Sequence, residues 1–140
     1  SHIAEHSLEV QLPFLQTVLD DFKLVPLVVG LSSPQEVADV LDYCRGGHET
    51  LIVVSSDLSH YLPYEQACKR DANTLNHILS GDESLSEYDA CGSAPIRGLL
   101  HLARDLGLKS DLLDYRNSGD TAGDKSRVGG YAAIAFSEEI

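Results

Sequence analysis

Asp57 and His60 stand three residues apart in SSDLSHYLPY (55–64), among serines and directly after the apolar run 51–54. An imidazole oriented by a carboxylate exchanges protons near neutral pH, and this spacing in a loop permits the hydrogen bond. The same residue types also stop strands and cap helices, so an ordinary structural role competes with the chemical one. Cys91 precedes Gly92 just ahead of a helix opened by Pro95, where backbone N–H groups and the helix dipole favour a thiolate. A thiolate there could ligate metal or act as a nucleophile. A small buried residue in a tight turn explains the cysteine equally well. Cys44 and Cys68 fall within helical stretches, which suits packing or surface positions.

Two further patterns carry less. HIAEH (2–6) matches the H-x-x-E-H pattern of some zinc peptidases, but the match is short, marks no third ligand and reads better as chance. His6 alone stands out, because it opens a helix between Glu5 and Ser7. NSGDTAGDKSRVGGY (117–131) gathers Asp120, Asp124, Lys125 and Arg127, and a solvated loop is favoured over a charged wall above a site. GLSSP and SGD lack the lysine and glycine spacing of a phosphate loop.

These residues need elements to hold them. Leu8, Leu12, Leu15 and Leu19 repeat at helical spacing over 7–19, with Pro13 bending or restarting the helix. KLVPLVVG (23–30) reads as a buried strand. Ser33, Pro34 and Glu36 then supply the N-cap, first-turn proline and capping-box acid of a helix to Cys44. TLIVVSSD (50–57) is a second strand, and YEQACKRDANTLNHILSG (64–81) is a helix closed by Gly81. A polar connection leads to Pro95 and a helix through Leu106 with Gly107 as its stop. DLLDYRNS (111–118) and GGYAAIAFS (129–137) are two last strands. The alternation predicts an α/β fold with a mixed, largely parallel sheet flanked by helices, its final strand pair antiparallel. Ligands of such sheets gather at the carboxyl ends of strands, where SSDLSH lies.

Composition narrows the function classes. A chain of 140 residues suits one domain, and a net charge of −12 disfavours nucleic acid and anionic membranes as partners. No apolar run reaches the ~20 residues that span a bilayer, and the first residues lack the regions of a signal peptide. Three cysteines without zinc or disulfide spacing fit a reducing compartment, which places the protein in the cytoplasm. The opening SHIAEH lacks an initiator Met, so a chain processed or cut from something longer is expected.

EHSLEVQLPFLQ (5–16), LVPLVVG (24–30), VVSSDLSHY (53–61), CGSAPIRGLL (91–100) and NSGDTAGDKSRVGGYAAIAF (117–136) together resemble the Memo family. The nearest branch is that of the prokaryotic AmmeMemoRadiSam system protein B. The resemblance implies a fold shared with class III extradiol dioxygenases, whose non-haem iron is held by two His and one carboxylate at the mouth of an α/β sheet. In Memo proteins a Cys replaces the carboxylate, and Cys91 falls on that metal-ligand position. His60 falls on the acid/base His of the dioxygenases and His6 on another His of the cleft, so His60, His6 and Asp57 are the expected catalytic residues. The APHAGY-like and GPSH-like motifs that complete the metal site do not occur here. The chain therefore reads as a single Memo-like domain, 1–140, truncated at its N-terminal side.

The resemblance leaves two functional readings. In one, the intact protein is a metal-dependent redox or dioxygenase-like enzyme that uses Fe(II) or copper, with Cys91 as ligand and His60 as proton shuttle. In the other, the cleft binds a peptide or protein partner in a radical-SAM-linked system without catalysis. In either, the cleft takes a small-molecule or peptide ligand, this chain alone holds no metal tightly, and a homo-oligomer buries apolar surface that a missing half would cover.

Overall fold

The computed structural model describes residues 6–138. Helix α1 spans Leu12–Val18, and Pro13 sits in its first turn, so the proline starts this helix instead of bending a longer one. Residues 7–11 form turns ahead of it. Helix α2 spans Pro34–Cys44 and opens with the expected capping box: the Ser33 hydroxyl accepts from Glu36 N–H while the Glu36 carboxylate accepts from Ser33 N–H. Its buried face, Val37, Ala38 and Leu41, packs with Leu102 of helix α4 (Ser93–Leu106). Gly98 lets the two helices approach closely, since a Cβ there would lie 2.3 Å from Val37 Cγ1.

Helix α3 spans Tyr64–Ser80, and both α3 and α4 end on a left-handed glycine, Gly81 and Gly107. Strands β1 (Lys109–Asn117) and β2 (Gly130–Ser137) pair antiparallel, with a register shift between Leu112 and Asp114. Between them, Asn117 caps the four-residue helix α5 (Ser118–Thr121), where the sequence predicts the end of a strand at Ser118 and then a loop. Tyr115, Ala132, Ile134 and Phe136 pack against a core of Leu58, Leu75, Ile78, Leu85, Ala90, Ile96 and Leu100.

The fold is mixed α/β, but the sheet differs from expectation. Among the described residues it has two strands, β1 and β2, and both are antiparallel. The runs 24–29 and 51–54 are neither helical nor part of a ladder. Their apolar pattern was sufficient to suggest strands, but a ladder also requires a hydrogen-bonding neighbour, which no described segment supplies. Run 51–54 still has a period of two: Ile52 and Val54 turn toward the cores, while Leu51 and Val53 face outward. Val25 and Leu51 are each 72% exposed, so these runs carry apolar surface uncovered by the described residues.

Among the described residues, no helix is long and apolar enough to cross a membrane.

Candidate functional site

The loop 55–60 leaves run 51–54 and meets the start of α4. Asp57 N–H points to Cys91 Sγ at 3.3 Å, and Cys91 N–H returns a bond to the Asp57 carbonyl at 3.3 Å. Ser56 Oγ accepts from Gly92 N–H at 2.8 Å, donates to the Asp57 carbonyl at 2.8 Å and lies 3.7 Å from Cys91 Sγ. Gly92 is required for this approach, because a Cβ at that position would lie 2.6 Å from Ser56 Cβ. The Asp57 side chain turns the other way, with Oδ2 3.1 Å from His60 Nε2. One residue therefore joins the thiol through its backbone and the imidazole through its carboxyl group.

Three of the four residues singled out by sequence are thus linked. His6 is exposed and its Nδ1 pairs with Glu9. Its segment reaches the loop through Gln11, whose Nε2 donates to Ser55 Oγ at 3.0 Å. His2 and Glu5 of the H-x-x-E-H pattern lie outside the described residues. Cys68 is half-buried on α3 and accepts from Asn117 Nδ2, as a packing residue would, while Cys44 is exposed.

An aromatic and cationic rim adjoins His60. Tyr61 has φ of 57°, a left-handed backbone unusual for a bulky residue, and its side chain is mostly exposed. Its ring centroid lies 5.9 Å from that of His60, and the Arg127 guanidinium sits 4.9 Å from the centre of the Tyr61 ring. Lys125 Nζ lies 4.4 Å above the ring of Tyr64, whose hydroxyl donates to Asp120 at 2.7 Å. The Asn117 N–H and the Tyr64 hydroxyl hold the Asp120 carboxyl below the usual carboxylate range. The 117–128 loop is solvated as the sequence favours, with Asp120, Asp124, Lys125 and Arg127 all exposed, and it also supplies side chains beside Tyr61 and Tyr64. Only the charge cluster itself signalled that role, and nothing in the sequence paired Arg127 with Tyr61.

The donor set can be tested against the expected metal. Cys91 offers a soft sulfur donor, but His60 faces Asp57, and among the described residues no three His, Cys, Asp or Glu side chains are grouped to hold an ion. These residues by themselves do not fit a complete iron or copper site.

The sequence profile described as "Memo-like protein" matches residues 1–135. The chain belongs to this Memo-like family. A MEMO1 family protein of Desulfurococcus amylolyticus is 35% identical over 97% of the Memo-like chain and 53% of its own length. One from Archaeoglobus fulgidus is 37% identical over 97% of this chain and 56% of its own length. A third, from Saccharolobus solfataricus, is 39% identical over 97% of this chain and 53% of its own length. The Memo-like chain thus spans about half the length of the curated relatives it matches.

Proposed function

We propose that this chain is the carboxy-terminal part of a Memo-like, metal-dependent redox enzyme related to the extradiol dioxygenases, and that Cys91, Asp57 and His60 form its share of the active cleft. One observation carries the reading: Asp57 donates its backbone N–H to Cys91 Sγ while its carboxyl contacts the His60 ring. With Nε2 bonded to Asp57, the imidazole is held in orientation and Nδ1 is left to take or give a proton at a bound substrate. Cys91 is the donor this chain would lend to Fe(II) or copper, with the remaining ligands and the rest of a largely parallel sheet coming from a segment outside it. His6 is proposed as a further residue of this cleft because its segment reaches the loop through the Gln11–Ser55 bond. Three unpaired thiols suit a reducing, cytoplasmic setting.

The exposed apolar runs around Val25 and Leu51 make self-association the expected behaviour of the isolated chain. Sedimentation of the isolated chain should show dimers or larger species, whereas a strict monomer at high concentration would remove this part of the proposal.

A second reading has its own support. The exposed Tyr61 ring under Arg127, beside His60, is the kind of aromatic and guanidinium surface that anchors a peptide or protein partner, here one in a radical-SAM-linked system. The two readings separate on turnover. The whole gene product, loaded anaerobically with Fe(II) and given catechol-like compounds and dioxygen, should turn over, and His60→Ala should lower the rate by roughly 10²-fold or more. Absence of turnover with intact metal binding, together with partner binding lost in Tyr61→Ala, would favour the binding module.

A further inference from the structure

We infer that Asp71, buried on α3, is the positioning residue that fixes the Asp57–His60 pair in front of Cys91. The inference rests on the reading of that pair as functional and names what holds it.

Asp71 is 0% exposed. Its Oδ1 accepts from Ser59 N–H at 2.9 Å and its Oδ2 accepts from the Tyr115 hydroxyl at 2.8 Å. Ser59, itself buried, lies between Asp57 and His60 in the chain. Gly130 at the start of β2 closes the arrangement: its carbonyl accepts from Leu58 N–H and its N–H donates to the Ser59 carbonyl, each at 2.9 Å. It also lies flush against the carboxyl, since a Cβ on Gly130 would come within 2.0 Å of Asp71 Oδ2. The backbone of residues 58 and 59 is thus gripped by α3 and β2, while residue 57 is bonded to residue 91. With the backbone anchored at 57, 58 and 59, little freedom is left to the side chains of Asp57 and of His60, the next residue.

Burying a carboxyl is costly unless its oxygens are bonded, and an apolar residue would pack α3 on the sheet more cheaply. What Asp71 adds is a fixed acceptor for the N–H of Ser59, the residue directly before the histidine. A merely structural Asp71 would stabilise the fold without affecting the His60 ring, and this difference is measurable.

The test uses the whole gene product labelled with ¹⁵N-histidine, with ring nitrogen signals read for the wild type, Asp57→Asn, Asp71→Asn and Gly130→Ala. His77 and His101, which pair with Asp82 and Glu83, serve as internal controls for the fold. Asp57→Asn should shift the His60 signals, because it alters the ring's own partner. Asp71→Asn and Gly130→Ala should shift them in the same direction, toward the average of the two tautomers, with His77 and His101 unmoved. If Asp71→Asn disturbs the controls, Tyr115→Phe replaces it, removing one Asp71 partner without touching the loop, and a smaller shift at His60 is expected. Unchanged His60 signals in the readable Asp71, Tyr115 and Gly130 variants, beside a shift in Asp57→Asn, would overturn the inference alone. Unchanged signals in Asp57→Asn would instead overturn the reading of the pair on which it rests.

Discussion

Asp57 and Cys91 are bonded in both directions across 34 residues of sequence, N–H to sulfur and N–H to carbonyl. The pairing ties the loop after run 51–54 to the start of α4, and with it the thiol to the Asp57–His60 pair.

Gly92→Ala should separate them. The new Cβ would meet Ser56 Cβ at 2.6 Å and its Oγ at 2.9 Å, and the backbone carbonyl of Ser55 at 3.1 Å leaves no room on that side. Overpacking of this kind costs about 1–3 kcal/mol. Hydrogen exchange at the Asp57 and Cys91 amides should quicken by about tenfold or more, while exchange in the middle of α3 stays near wild type.

Gly98→Ala tests the α2–α4 contact, where two effects oppose. Alanine in mid-helix gains about 1 kcal/mol over glycine, but the added methyl would fall 2.3–2.4 Å from Val37 Cγ1 and Cβ, close to a backbone that cannot swing away. The overlap wins, and denaturant unfolding should show a net loss of about 1–2 kcal/mol. Combining it with Val37→Ala should recover part of that loss, a coupling that two independent sites would not show.

Stability should respond to pH at both extremes. Burial, reinforced by the Asp71 hydrogen bond, pushes the Tyr115 phenol well above the ordinary tyrosine range. A raised pKa contributes stability that is complete below the unfolded value of about 10 and is lost as pH rises toward the folded one. At the acid end, the Ser84 hydroxyl and N–H, together with His77, hold the Asp82 carboxyl down at about 2. A depressed pKa contributes stability present above the unfolded value of about 3.9 and lost as pH falls toward 2. Melting temperatures of Tyr115→Phe and Asp82→Asn should accordingly show a flatter alkaline limb and a flatter acid limb, respectively, than the parent protein.

Much of this was legible in the sequence because it depends on local chemistry. The Ser33–Glu36 capping box, the Gly81 and Gly107 stops and the antiparallel β1–β2 pair all follow from neighbouring residue types. The predicted central sheet is not found among the described residues: runs 24–29 and 51–54 show apolar pattern without naming a pairing partner, and pairing is non-local. The sequence predicts Pro95 as the first residue of α4, whereas the helix begins at Ser93 and takes the proline within its first turn, where a missing N–H costs nothing. Of the site, Asp57, His60 and Cys91 were visible by type and position. Asp71 was hidden as one more polar residue on an amphipathic helix, since its partners Ser59 and Tyr115 lie 12 and 44 residues away.

The central claim, that Cys91 beside Asp57 and His60 is this chain's contribution to a metal-bearing redox cleft, is tested most directly by the absorption spectrum of the whole gene product loaded anaerobically with Co(II). A thiolate ligand gives a sulfur-to-metal charge-transfer band that nitrogen and oxygen ligands do not. The account predicts such a band in the wild type, its loss in Cys91→Ser and its retention in Cys44→Ser and Cys68→Ser. A band that survives Cys91→Ser, or stoichiometric metal with no such band in the wild type, would contradict it.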